Sequence, residues 1–363
     1  MNIYRQLEFD TVLNTVGGFA HSEVVAKKIA ETTPLNSLAD AEKLLTQTSE
    51  ALNVLASRSP ALAFDDLSIV LDKATVGATL TPGEFLKIRK SIVALRSLKA
   101  CIEGADGFDS LKAITAQAQI CDDLESAISS AIESETEIKD GASEKLFSIR
   151  RAILRANSKL KERLDGYTRQ SEISKYLQDN IVTLRGGRYV IPVRSECRSN
   201  VKGLVHDVSS TGATVFIEPF SVVEANNELI TLKTEEQNEI ERILFELSKK
   251  VRVNISELFE GQDVLTECGI IFAKAEYAKH NDAYRPSING TGKICLLGAR
   301  HPLISAEKVV PVDIKLDDKR LLVISGPNTG GKTVALKTVG LFGLMTASGI
   351  FIPTEEGSEM CIF

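Results

Sequence analysis

From residue 145 to residue 167, Leu146, Ile149, Ile153, Ala156, Leu160, Leu164 and Tyr167 recur at spacings of three and four. That period places them on one stripe of a helix, which needs an apolar partner. A second stripe runs through Leu229, Leu232, Ile240, Leu244, Leu247, Val251, Ile255 and Leu258. If its helix ran unbroken from about Val222 to Asp282, it would extend on the order of 90 Å. Between the two stripes the pattern changes to alternation. Ile181–Leu184, a turn at Gly186-Gly187, Tyr189–Val193, Gly203–Val208 and Ala213–Ile217 predict a small antiparallel sheet. Two long helices packed antiparallel, with a sheet closing their far end, make a lever with a tip.

Upstream, apolar patches alternate with Thr33-Pro34, Ser59-Pro60 and Thr81-Pro82-Gly83, predicting a bundle of short helices from Met1 to about Ile120. Thr81, with Pro82 behind it and Glu84 three positions on, marks a helix start, because a first-turn proline loses no needed hydrogen bond. After Pro286, strand-like runs occupy Lys293–Leu297, Val309–Leu316 and Arg320–Ser325, followed by an apolar helix from Thr333 to Met345. The predicted fold is mainly α with an inserted small antiparallel β clamp, followed, because Gly326–Thr333 matches G-x-x-x-x-G-K-[ST] between a strand-like and a helical run, by the N-terminal half of an α/β P-loop ATPase domain. Its predicted divisions are a helical core at 1–140, an outgoing lever helix at 141–180, the clamp tip at 181–220, a returning lever helix at 221–285 and the partial ATPase domain at 286–363.

Composition narrows this reading. A formal net charge of −6 argues against a chain that coats nucleic acid nonspecifically, while leaving room for a local basic patch. Cysteines at 101, 121, 197, 268, 295 and 361 form no Cys-x-x-Cys pair and stand apart from the four histidines, which argues against zinc or disulfide frameworks and points to a reducing cytoplasm. The N-terminus lacks a basic start followed by an apolar run, and Val339–Ile352 is too short to span a bilayer, so no membrane partner is expected.

The chemistry concentrates at Gly326-Pro327-Asn328-Thr329-Gly330-Gly331-Lys332-Thr333. The pattern G-x-x-x-x-G-K-[ST] lies between a strand-like run and a helical one, the context that a phosphate loop requires. Glycines let backbone N–H groups close around phosphates, and the helix N-terminus adds partial positive charge. Lys332 is placed to reach the β and γ phosphates of ATP, and the Thr333 hydroxyl to take one position on Mg²⁺.

Ile324–Thr333 resembles the phosphate loop of MutS family ATPases, in which Gly-Pro-Asn opens the loop. Gly298-Ala299-Arg300-His301-Pro302-Leu303-Ile304 is similar to the Arg-His-Pro element that leads into the same domain. Gly187–Val193, Val205–Thr214, Phe216–Pro219 and Thr338–Leu341 resemble the branch often called MutS-two, so the likeness covers most of residues 140 to 363. The resemblance implies a homodimer that hydrolyses ATP, a small MutS-related endonuclease domain elsewhere in the full-length protein, and action on branched DNA to suppress recombination or on collided ribosomes with their rRNA. Phe216-Ile217-Glu218 mimics a mismatch wedge but reads as clamp strand. Where mismatch-repair relatives place an adenine-stacking aromatic, this chain has Val309-Val310-Pro311-Val312-Asp313, so adenine contacts stay unassigned.

Charge along the lever is uneven. Lys145, Arg150, Arg151, Arg155, Lys159, Lys161, Arg163 and Arg169 face only Glu162 and Asp165 within 145–169. At the tip, Arg185, Arg188, Arg194, Arg198 and Lys202 have Glu196 as their one acidic neighbour in sequence, which makes these five the candidate phosphate contacts. The returning arm is rich in glutamate, so pairing between the arms competes with nucleic-acid contact along the helix. An ATPase of this class also needs an acidic strand after the loop. Glu355, Glu356 and Glu359 read as a polar turn, so the chain reads as a fragment that binds ATP without hydrolysing it well. Two alternatives remain: a coiled-coil chromosome-maintenance ATPase, whose loop precedes its coil where here it follows the long helices, and a nucleotide-gated protein-binding scaffold.

Overall fold

The computed structural model describes residues 3–103, 107–317, 321–325 and 331–362. Contacts group the chain into two units, one formed by 1–78, 84–125 and 251–363, the other by 79–83 and 126–250.

The first unit opens with α1 (Ile3–Gln6), α2 (Phe9–Gly17), α3 (Glu23–Ala30), α4 (Leu38–Ser57), α5 (Ser68–Thr75), α6 (Pro82–Ile102), α7 (Asp109–Thr115) and the first turn of α8 (Asp122–Ala131). α6 begins at the proline that the sequence marks as a helix start. The helices are not all short, since α4 has 20 residues and α6 has 21. Ser37 caps α4 by accepting from the Asp40 N–H, and an apolar face of Leu45, Ala51 and Val54 carries the helix into the core.

In the second unit, α9 (Glu144–Thr168) starts at Ser143, whose hydroxyl accepts from the Leu146 N–H at 3.0 Å. The short α10 (Ser171–Ser174) leads to β1 (Thr183–Arg185), β2 (Arg188–Arg194), β3 (Gly203–Val208) and β4 (Thr214–Pro219). These pair antiparallel in the order β1-β2-β4-β3. Leu160 and Leu164 of α9 join Ile191, Val193, Val215, Ile217 and Leu229 in one buried cluster. Each fully buried aliphatic side chain contributes about 2 kcal/mol. The chain returns along α11 (Val223–Val253). Lys145 meets Glu239, Arg150 meets Glu236 at 2.8 Å, and Leu160 packs with Leu229, so the two helices run antiparallel and pair charges as their sequences allow.

The returning arm is two helices in place of one. α11 stops at Val253, Asn254 turns, and α12 (Ile255–His280) begins. Asn competes for backbone hydrogen bonds, which suits it to a break. α12 belongs to the first unit and is buried along most of its length, from Leu258 to Ala278. At Gly269 an added Cβ would lie 2.6 Å from Val25 of α3, so the glycine permits close helix contact.

The last part of the first unit is a sheet of β5 (Ser287–Asn289), β6 (Ile294–Ala299), β7 (Val312–Leu316) and β8 (Glu359–Cys361), in the order β5-β8-β6-β7, with α13 (Lys332–Ala347). Two expectations change here. Glu359 opens β8, whose backbone pairs with β5, where the sequence reads as a polar turn. Residues 321–325 are described without strand pairing, and Leu321 and Val323 are each 76% exposed, so the strand expected at 320–325 does not form among the described residues. Apolar character marks a candidate strand; a ladder also needs a neighbour.

Candidate functional site

Residues Gly326, Pro327, Asn328, Thr329 and Gly330 of the phosphate-loop motif lie outside the described residues. Its end is described. Gly331 has φ 80° and ψ 4°, and α13 follows at once with Lys332 half-buried and Thr333 exposed. A left-handed residue immediately before a helix turns the chain sharply, and glycine takes that conformation without strain. Among the described residues no heavy atom lies within 4 Å of where a Cβ on Gly331 would sit, and the first turn of α13 carries no acidic residue. The N–H groups of that turn carry partial positive charge, and with Lys332 and no acidic side chain in the turn to repel it, an anion is favoured there. These features fit a nucleotide phosphate. For Mg²⁺ the described end of the motif offers the Thr333 hydroxyl, and no group of three His, Cys, Asp or Glu side chains that could hold a metal ion occurs among the described residues.

Further along α13, Lys337 Nζ lies 2.9 Å from Glu8 Oε2 and holds that carboxylate below its ordinary pKa. Glu8 has φ 60° and immediately precedes α2. His301 of the Arg-His-Pro element is buried, accepts from the Leu303 N–H at 3.3 Å, and burial pushes its pKa down, which favours neutral imidazole. Arg300 donates to the Asp282 carbonyl at 2.6 Å. With Thr15, His280, Ser305 and Pro353, the two residues line an open cleft of about 590 Å³. Lys332 and Thr333 are not part of that lining, so the cleft and the described end of the loop are separate features.

α13 ends as distinctly as it starts. The Gly349 N–H donates to the Thr346 carbonyl and the Ile350 N–H to that of Met345, with Gly349 at φ 70°. This is a Schellman closure. An added Cβ at Gly349 would sit 2.5 Å from Leu44, so both conformation and space require glycine. Lys274 of α12 donates to the Ser348 carbonyl at 2.7 Å, a buried ammonium against the negative end of the α13 dipole.

At the clamp, the five expected phosphate contacts separate. Arg188 donates to Glu218 at 2.8 Å and to Asn227 at 2.6 Å. Arg185 lies 3.3 Å from Asp207 and stacks over the Phe216 ring at 4.3 Å. Arg194 donates through Nε to the Leu177 carbonyl at 3.3 Å. Arg198 and Lys202 are exposed and make no ion pair among the described residues. Sequence proximity names Glu196 as the competitor; the fold brings up Asp207 of β3 and Glu218 of β4 instead.

Glu218 is the residue that sequence reasoning passed over. It is fully buried in β4, where Oε1 also accepts from Asn226 at 2.7 Å and Oε2 meets His206 Nε2 at 2.5 Å. A register shift between Val205 and Asp207 falls at that histidine. The placement rules out a projecting wedge and confirms Phe216-Ile217-Glu218 as clamp strand.

No family model matches the chain. Among curated proteins it is similar to the Endonuclease MutS2 of Ruminiclostridium cellulolyticum, 40% identical over 99% of this chain and 46% of that protein. The Endonuclease MutS2 of Clostridium beijerinckii is 41% identical over 99% of the chain and 46% of its own length. That of Bacillus velezensis is 40% identical over 99% and 47%. The chain thus spans a little under half the length of these relatives.

Proposed function

We propose, from a chain that corresponds along 99% of its length to the N-terminal part of MutS2 proteins, that it supplies the nucleotide-binding loop and the clamp of an ATP-dependent nucleic-acid clamp. Gly326 to Thr333 bind the triphosphate of ATP, Lys332 neutralises the outer phosphates, and Thr333 gives one oxygen to Mg²⁺. Two copies act together, and the whole protein hydrolyses ATP and carries the nuclease activity that the relatives' name describes. Its targets are branched DNA, where it opposes recombination, and stalled, collided ribosomes. Binding at the loop acts by favouring one arrangement of the levers over another, which requires that ATP bind the two arrangements unequally.

The observation that carries this reading is Gly331 at φ 80°, directly ahead of Lys332 and Thr333 at the start of a 16-residue helix. Titrating the purified chain with a fluorescent ATP analogue in Mg²⁺ tests it. Lys332→Ala should weaken binding at least tenfold, equivalent to about 1.4 kcal/mol, with the melting temperature unchanged. Equal affinity in the two proteins would overturn the assignment.

A further inference from the structure

The basic residues of α9 divide by direction. Lys145 and Arg150 turn toward α11 and pair with Glu239 and Glu236, while Lys161 lies over the Tyr189 ring at 5.9 Å. Arg151, Arg155, Lys159 and Arg163 are all exposed, four residues apart, and none forms an ion pair among the described residues. Arg151 covers the Phe147 ring and Arg155 Nε donates to the Arg151 carbonyl at 3.2 Å, which leaves guanidinium donors of both open to solvent. The other charges on the exposed side of the helix are Glu144, Glu162 and Asp165, which form no ion pair with these four among the described residues.

A solvated helix gains from alternating signs at i and i+4, and like charges at that spacing weaken it. Here every i,i+4 step along the stripe joins two cations, so helix stability does not account for the pattern. We propose that the Arg151, Arg155, Lys159 and Arg163 stripe docks the phosphate backbone of duplex DNA across its major groove. The inference rests on the reading of this chain as a nucleic-acid clamp and moves the principal contact from the sheet tip to the outgoing helix.

Geometry favours this partner. Successive stripe residues rise about 6 Å and rotate about 40°, so the four cover about 18 Å over an arc of about 120°. That length bridges a B-form major groove about 12 Å wide and reaches the phosphates of both walls. The stripe has no stacking platform for single strands, since its one aromatic, Phe147, is covered by Arg151. Duplex RNA is met through its shallow minor groove, where 2′-hydroxyls need polar partners. The two serines of this face are already donors to their own helix, Ser148 to the Lys145 carbonyl and Ser158 to that of Leu154.

The test measures fluorescence anisotropy of a labelled duplex DNA across a salt series, using the full 363-residue chain. Each phosphate contact adds about 0.9 to the slope of log affinity against log salt. Replacing Arg151, Arg155, Lys159 and Arg163 together by Gln should lower the slope by about 3.6, and each single replacement by about 0.9. Circular dichroism should not change and the melting temperature should not fall, since the replacements relieve like-charge repulsion at i,i+4. An unchanged slope overturns the proposal, as does a larger loss on duplex RNA of the same length than on DNA. Failure of the unaltered chain to bind duplex DNA while it still binds ATP sinks the stripe and leaves the phosphate loop standing. A slope that depends on the four residues in a chain that does not bind ATP supports the stripe and removes the nucleotide reading instead.

Discussion

Lys274 is 5% exposed, and its ammonium has a carbonyl as its partner where a carboxylate would be expected. Burial lowers its pKa from 10.5 to about 8. Between those values the unfolded chain holds a proton that the folded chain has released, so ΔG of unfolding rises with pH across that window. Below pH 8 both states are protonated, and the folded state carries the full penalty of a buried charge. The increase between pH 8 and 10.5 should approach about 3 kcal/mol, with the α13 dipole reducing it by favouring the ammonium. Lys274→Met removes the titration. The difference between the two proteins in urea-unfolding free energy, followed from pH 7 to 10.5, should therefore slope with pH; a flat difference would show that Lys274 is not desolvated. Sequence reading named Gly331 and Lys332 because their chemistry is local to a short motif. It had no means of naming Lys274, because a lysine in an apolar helix looks like a solvated one until a neighbouring helix covers it.

Within elements, the same contrast separates the lever from the clamp. The apolar stripe at Leu146 to Leu164 and the alternation from Tyr189 to Val193 predict α9 and β2 because each pattern repeats within one segment. β5 and β8 have three residues each and pair across about seventy positions, so neither carries a periodic signal, and both were missed. The Glu218 cluster is also non-local, since its partners come from β2, β3 and α11. It makes Arg188 a structural residue. Arg188→Ala would leave the buried carboxylate without its guanidinium, which costs about 3 kcal/mol in comparable settings. Arg198→Ala, at an exposed position, should stay within about 0.5 kcal/mol. Hydrogen exchange at the amides of β2 and β4 distinguishes them: faster exchange in Arg188→Ala alone is expected, and equal exchange in both variants would reduce the cluster to surface decoration.

For the molecule as a whole, the sheet of the first unit has an open edge and, next in sequence, an exposed apolar run. β7 is the last strand in the order β5-β8-β6-β7, so its outer edge has no ladder partner among the described residues. The apolar run at 321–325 follows it in sequence with Leu321 and Val323 turned outward, and Val310 just before β7 is 81% exposed. An open strand edge together with an extended apolar run is a template for another chain, because backbone groups and apolar surface are then both unsatisfied in one region of sequence. The acidic net charge opposes association only weakly at physiological ionic strength, where the Debye length is about 8 Å. The chain should therefore self-associate with rising concentration in sedimentation velocity. Leu321→Lys with Val323→Lys should suppress that association by placing charge on the run, a device that natural edge strands use. Because neither side chain is buried, the melting temperature should not fall. If the substituted chain associates as strongly as the original, contact between copies arises elsewhere; if it melts earlier, these side chains are covered in solution and the run at 321–325 is paired after all.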